Sequence, residues 1–147
     1  MGRTNIVKRV LEQSFHDHVG STWERICQIA VTGNDLLGHT WSVASRWWGK
    51  APVLAAGKKT HAGYDDLEFD VVAEDQNDSH TILVGECKWA AADYADRLLE
   101  KLKKKTSMAP FAQGKKIVYA LFLREPPLST ASCCMLLPED VVQQLLE

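Results

Sequence analysis

No apolar run of membrane-spanning length and no N-terminal signal-peptide pattern occurs in this sequence. The expected location is therefore cytoplasmic, with no membrane partner. The five histidines, His16, His18, His39, His61 and His80, form no HxxxH or HExxH pattern, and none is assigned to a metal. The four cysteines contain no CxxC pair. Cys133 and Cys134 are adjacent, which suits neither a zinc knuckle nor an easy disulfide. Cys27 and Cys87 sit inside apolar patterns and read as small core residues. Four free thiols in a reducing compartment are expected. Excess positive charge is missing too: the net charge is −2 and the pI near 6.2. This is not the footprint of a strongly basic nucleic-acid binder. Repeats and low-complexity segments are also absent.

What remains is an ordinary globular composition, 46% hydrophobic and 24% charged over 147 residues. A chain of this length fits one domain, residues 1–147, and buries roughly 70% of its unfolded surface without disulfides or metal. Any nucleic-acid contact has to come from local basic patches. Two exist: Arg97, Lys101, Lys103, Lys104 and Lys105, then Lys115 and Lys116. Acidic residues gather elsewhere, at Asp65, Asp66, Glu68, Asp70, Glu74, Asp75 and Asp78. Such a separation is compatible with a metal site beside a phosphate-binding face.

Residues Ile6 to Val19 read as an amphipathic helix, with Val7, Val10, Leu11 and Phe15 on one stripe. Ser21 followed by Glu24 matches a capping box, so a second helix is expected from Thr22 to about Val31, its inward face Trp23, Ile26, Cys27 and Ala30. Gly33 to Gly38 is a turn. From Thr40 to Trp48 the period changes to two, which predicts a first strand. Ala51 to Asp66 reads as a loop. Leu67–Ala73 and Thr81–Trp89 are expected strands joined as a hairpin by the polar turn Asp75–Ser79. A helix follows from Ala90 to about Thr106, with Leu98, Leu99 and Leu102 inward and its lysines outward. Ile117–Leu123 is a short continuous apolar run, typical of a strand buried on both faces. Cys133–Leu137 closes as a strand and Pro138–Glu147 as a helix with Pro138 in its first turn. The expected class is α/β, a mixed central sheet flanked by helices in the order α-βββ-α-β plus a terminal β-α.

The informative stretch is Glu68-Phe69-Asp70, then Gly85-Glu86-Cys87-Lys88-Trp89. Side chains alternate along a strand, so Glu86 and Lys88 share a face, about 6.8 Å apart along the backbone. Regular alternation would put Glu68, Asp70 and Val72 on one face of the neighbouring hairpin strand. Pairing the strands can then place Asp70 beside Glu86, with Lys88 two positions on. Phosphodiester hydrolysis uses such a group. Two carboxylates supply hard oxygen ligands for Mg²⁺ or Mn²⁺. The ion lowers the pKa of a bound water and offsets charge building on the phosphate. A nearby lysine orients the nucleophile or stabilises the transition-state charge.

These residues resemble the motif of the PD-(D/E)XK nuclease superfamily: Asp70, then Glu86-Cys87-Lys88. The helical glutamate that often precedes that motif is matched by Glu24. The stretches Arg46-Trp47-Trp48-Gly49-Lys50, Glu68 to Ala73 and Val84 to Trp89 look like the nuclease-like domain found C-terminal to the ATPase module of archaeal-type AAA ATPases. The likeness covers roughly residues 5 to 125. It implies a restriction-endonuclease-like core and a metal-dependent DNA endonuclease, with RNA as a second possible substrate. Asp70 and Glu86 would hold Mg²⁺ or Mn²⁺, Lys88 would assist the attacking water, and Glu24 would be an auxiliary ligand or base-orienting group. An AAA ATPase partner and a homodimer are the implied assemblies. The chain departs from the pattern in carrying no P-loop, and so reads as an excised domain or a stand-alone relative.

Plainer readings stand beside these. Glu and Lys alternate on many exposed strands as a solvated face. Glu24 reads equally as the N3 partner of the Ser21 cap, and Glu68 as a solvated edge charge. Trp47, Trp48 and Trp89 are able to stack on bases, but core or interface packing is the simpler role. The lysines of the 97–105 helix read as a solvated face rather than a phosphate track. Asp75, Asn77 and Asp78 resemble half of a calcium loop without its later glutamate, and a hairpin turn accounts for them. The same fold retained as a non-catalytic nucleic-acid-binding or ATPase-docking module is the functional alternative.

Overall fold

The computed structural model describes residues 21–52, 64–89 and 94–146. The helix expected over Ile6–Val19 lies outside them. The described chain opens on helix α1, residues 21–31. Its buried residues Trp23, Cys27, Ala30 and Val31 recur at helical spacing and form the inward stripe, with Ile26 packed alongside. Gly33, at φ 72°, ends the helix in the left-handed region. The expected turn over 33–38 is in part a small hairpin, β1 (Asp35–Leu36) against β2 (His39–Thr40). Leu37 and Gly38 both have positive φ, 58° and 81°, as a tight two-residue hairpin turn requires.

The strand expected from Thr40 starts later. Strand β3 runs Ser45–Pro52. Trp41 is fully buried and bonds through its indole N–H to the Leu36 carbonyl, while the Ala44 amide donates to Thr32 Oγ1. Trp41 bridges Asp75 and the Ser42 N–H donates to the Glu74 carbonyl, but Trp41 is buried and Val43 exposed, so the expected alternation breaks between them.

Strands β4 (Tyr64–Asp75) and β5 (Asp78–Lys88) form the expected hairpin and run longer than the sequence pattern suggested. At its turn Asp75 Oδ1 accepts the Asn77 amide at 2.8 Å, and no calcium loop is needed to explain the acidic residues. Helix α2 (Ala95–Met108) crosses to β6 (Lys116–Leu123), followed by β7 (Cys134–Leu136) and α3 (Pro138–Leu146). The sheet order is β3-β4-β5-β6-β7, with β3 to β5 antiparallel and β5 to β7 parallel. This is the mixed α/β sheet flanked by helices that the residue pattern implied.

The sheet has a core on each face. On one side α1 packs its stripe on Val71, Ala73, Leu83, Ala120 and Phe122. On the other, α2 packs Leu98, Leu99 and Leu102 on Leu67, Phe69, Ile82, Val84 and Leu121. Strand β6 thus contributes alternate residues to both cores, as its unbroken apolar run suggested. The four cysteines are free. Among the described residues, no helix is long and apolar enough to cross a membrane.

Candidate functional site

The faces of β4 do not follow simple alternation. Leu67 and Phe69 point into the α2-side core, yet Val71 and Ala73 point into the α1-side core. The cause lies in the pairing with β3. Ser45 pairs with Val72 and Trp47 with Phe69, so Asp70 and Val71 together oppose the single residue Arg46. This is a β-bulge, which re-aims side chains on the bulged strand. It corrects the expectation that Glu68, Asp70 and Val72 share a face: Val72 packs on the α2-side core, while Glu68 reaches Arg46 on the β3 edge strand. Asp70 stands at the switch.

Regular pairing of β4 with β5 ends at Val71 opposite Gly85. One step beyond, the same register sets Asp70 opposite Glu86. There Asp70 Oδ2 accepts the backbone N–H of Cys87 at 2.8 Å. The Asp70 carbonyl in turn accepts from Gln28 Nε2 on α1 at 2.9 Å. Gly85 permits the close approach: a Cβ there would lie 2.8 Å from Phe122 Cε2 and 3.1 Å from Val71 Cβ.

Glu24 lies one helical turn before Gln28, and its carboxyl also meets Asp70. Burial, then the Asp70 charge and a hydrogen bond between the two carboxyls, push Glu24 from the ordinary 4.5 up to about 7. Glu86 is half-buried on the α2 side. Burial and the charge of Asp70 raise its pKa, against the opposing pull of Lys105 and Lys88. Lys105 Nζ sits 3.2 Å from Glu86 Oε2 and 4.8 Å from the centre of the Phe69 ring. Lys88 is exposed at the end of β5.

Asp70, Glu86 and Glu24 are therefore brought near the point where β4 and β5 part beside α1, with Lys88 two residues beyond Glu86, while β4 runs on to Tyr64 against β3. Two participants escaped sequence reasoning. Gln28 could have been found from its i+4 spacing to Glu24 on the helix. Lys105 was grouped with outward lysines; Lys101, Lys103 and Lys104 are indeed exposed, but Lys105 falls near the buried stripe of α2. The two tryptophans Trp47 and Trp89 pack inside, the first against Phe69 and Phe111 and the second against Trp23.

The donor chemistry suits a hard cation. Asp70 is crowded by Glu24 and by Glu86. Such carboxylates gain from a positive charge beside them, and Mg²⁺ commonly takes one or two protein carboxylates and keeps several waters. Among the described residues no group of three or more His, Cys, Asp or Glu is arranged to hold a metal ion. Asp70 and Glu86 are two hard oxygen donors, and an ion held by them would keep waters in its remaining positions.

No curated protein and no solved structure matches the chain. One family model does, over residues 1–106, a span that takes in Glu24, Gln28, Asp70, Glu86, Lys88 and Lys105. The chain belongs to that family, DUF234, described as archaea bacterial proteins of unknown function.

Proposed function

We propose that this chain is a metal-dependent phosphodiester hydrolase of the PD-(D/E)XK kind, a DNA endonuclease core. The observation that carries the reading is the convergence of Glu24 and Asp70, with Glu86 one strand away, near the point where β4 and β5 part. Structural carboxylates are seldom crowded in this way, because each raises the cost of ionising the next.

In this reading Asp70 and Glu86 hold Mg²⁺ or Mn²⁺. When bound, the ion supplies a water of lowered pKa and offsets charge on the phosphate. The bond from Cys87 N–H fixes Asp70, and the Gln28 amide fixes the main chain beneath it. Lys88 orients the attacking water or stabilises charge on the phosphate oxygens. Glu24 serves as an auxiliary ligand or holds the water through Asp70. DNA is the favoured substrate, with an AAA ATPase or a second copy of the chain as possible partners.

The alternative is a non-catalytic nucleic-acid-binding or ATPase-docking module on the same fold. The Lys105–Glu86 ion pair favours it, since it neutralises a carboxylate from within the chain. DNA cleavage separates the two. Purified chain with Mn²⁺ should nick or degrade DNA, EDTA should stop it, and Asp70→Asn should remove it. Binding without cleavage of single-stranded, duplex, branched or RNA substrates in either metal would overturn the hydrolase reading.

A further inference from the structure

Trp48 is handled differently from its two neighbours in the motif. Trp47 and Trp89 are packed, whereas Trp48 is 69% exposed. It lies on β3, which among the described residues is an edge strand paired with β4. The Arg46 guanidinium stands 5.6 Å from the centre of its ring and is itself paired with Glu68 of β4, so the indole has a fixed cationic neighbour. Trp48, Gly49 and Lys50 line one side of a cavity of about 630 Å³, and Lys105 lines it as well. Lys105 is the residue bonded to Glu86. Lys105 thus links the cavity wall to Glu86, and the cavity's volume falls in the range of small-ligand sites, roughly 300–1,000 Å³.

We propose that this cavity receives an unpaired nucleotide of the DNA substrate, its base stacked on Trp48 and its flanking phosphates against Lys50 and Lys105. A base inside a duplex is already stacked on both faces and cannot lie on a side chain. An exposed indole with a guanidinium against its ring suits a base that has left the stack. Asp66 and Glu68 also border the cavity. Glu68 is neutralised by Arg46, and Asp66 repels phosphate, which confines the backbone to the lysine walls. A protein partner seated on the indole is the competing occupant; Lys50 on the same wall as the indole favours a polyanion. The proposal rests on the hydrolase reading for the identity of the substrate. It narrows that substrate to DNA with a single-stranded, frayed or flipped position.

The test is fluorescence anisotropy with the full chain, using a labelled single-stranded deoxyoligonucleotide and a blunt duplex of the same length, in EDTA. The wild type should bind the single strand more tightly than the duplex. Trp48→Ala should weaken single-strand binding about tenfold or more, and Trp48→Phe should retain most of it. Both variants should fold, because the indole is largely in solvent; circular dichroism checks this. Tryptophan emission should be quenched by the unlabelled strand in the wild type and much less in Trp48→Phe. Equal affinities for the wild type and Trp48→Ala, a preference for the duplex, or no binding by the wild type would each overturn the stacking site. Cleavage in Mn²⁺ that survives Trp48→Ala alongside unchanged binding would leave the hydrolase reading standing without it. Conversely, Trp48-dependent binding with no cleavage of any substrate would keep the stacking site and remove the hydrolase.

Discussion

Asp70 Oδ2 accepts the Cys87 backbone N–H at 2.8 Å, one step past the point where β4 and β5 stop pairing through their main chains. A carboxylate here replaces a carbonyl as the partner of a strand amide. Bonds of this kind, with a charged acceptor, are roughly twice as strong as neutral ones. The bulge opposite Arg46 is what turns Asp70 to this position. The two residues that flank Cys87, Glu86 and Lys88, are thereby tied to Asp70 after the regular ladder has ended.

From that bond follows a pair of variants. Asp70→Asn keeps an oxygen for the Cys87 amide and should change folding stability by less than about 1 kcal/mol. Asp70→Ala leaves the amide without its acceptor and should cost about 1–3 kcal/mol in denaturant unfolding. Asp70→Asn and Glu86→Gln should each weaken Mn²⁺ binding by calorimetric titration, because each removes a charged oxygen ligand while keeping shape. Unchanged affinity in both variants would contradict the metal assignment.

The pH dependence of stability reports on Glu24. Its native pKa is raised from 4.5 to about 7. Between those values the folded chain holds a proton that the unfolded chain has lost, so stability contributed by this group is full below pH 4.5 and declines as pH rises to about 7. The raised pKa of Glu86 acts in the same direction. Asp75 and Asp78, whose pKa values lie below the ordinary 3.8, act in the opposite sense at more acidic pH. Melting temperatures measured in EDTA should therefore show Glu24→Gln more stable than the wild type above neutrality, with the gap closing toward about pH 5. A gap independent of pH would place Glu24 away from Asp70 in solution.

Gly85→Ala tests the close approach of β5 to its neighbours. The added methyl would meet Phe122, which is 1% exposed, and the Cβ of Val71. Neither has room to yield in a packed core. The substitution should destabilise by about 1–3 kcal/mol, read as a lower urea midpoint with unchanged slope. A neutral result would mean that the strands part more widely here than the geometry describes.

Much of this fold is legible in residue periods. Trp23, Cys27 and Ala30 marked the inner face of α1, and the unbroken run from Ile117 to Leu123 marked β6, because burial on one or two faces writes directly into hydrophobic spacing. The bulge at Asp70 and Val71 was not legible. It arises from pairing with β3, and a strand's own residues do not encode the register of its partner. The 41–44 segment misled for a related reason. Trp41 is buried by tertiary contacts with Leu36 and the α1-side core and makes one isolated bridge to Asp75, so regular pairing starts only at Ser45. In the site, Glu24, Asp70, Glu86 and Lys88 were found as a motif. Lys105 was not, since a lysine at the border of an amphipathic stripe looks the same in sequence whether it faces water or a carboxylate.

The two lysines near Glu86 should prove different in kind. Lys88 is exposed beside the end of β5, whereas Lys105 is bonded to Glu86 and rests over Phe69. A lysine that acts on the reacting phosphate matters chiefly in the transition state. Lys88→Ala should thus lower cleavage on the order of 10²-fold or more. It should largely spare DNA binding, which sums many phosphate contacts. In the proposed metal site Lys105 would compete with the ion for the Glu86 carboxylate. Lys105→Met preserves the hydrocarbon stem over Phe69 and removes the competing charge, so Mn²⁺ should bind more tightly at a pH where Glu86 is ionised. Its removal also takes away a cation that holds the Glu86 pKa down. The gain in metal affinity should therefore shrink as pH falls and protons compete for the same oxygens. Calorimetric titration of both variants at two pH values reads this directly. Tighter Mn²⁺ binding in Lys105→Met with none in Lys88→Ala would assign Lys105 as the internal counter-ion of the site. The reverse pattern would exchange the two roles.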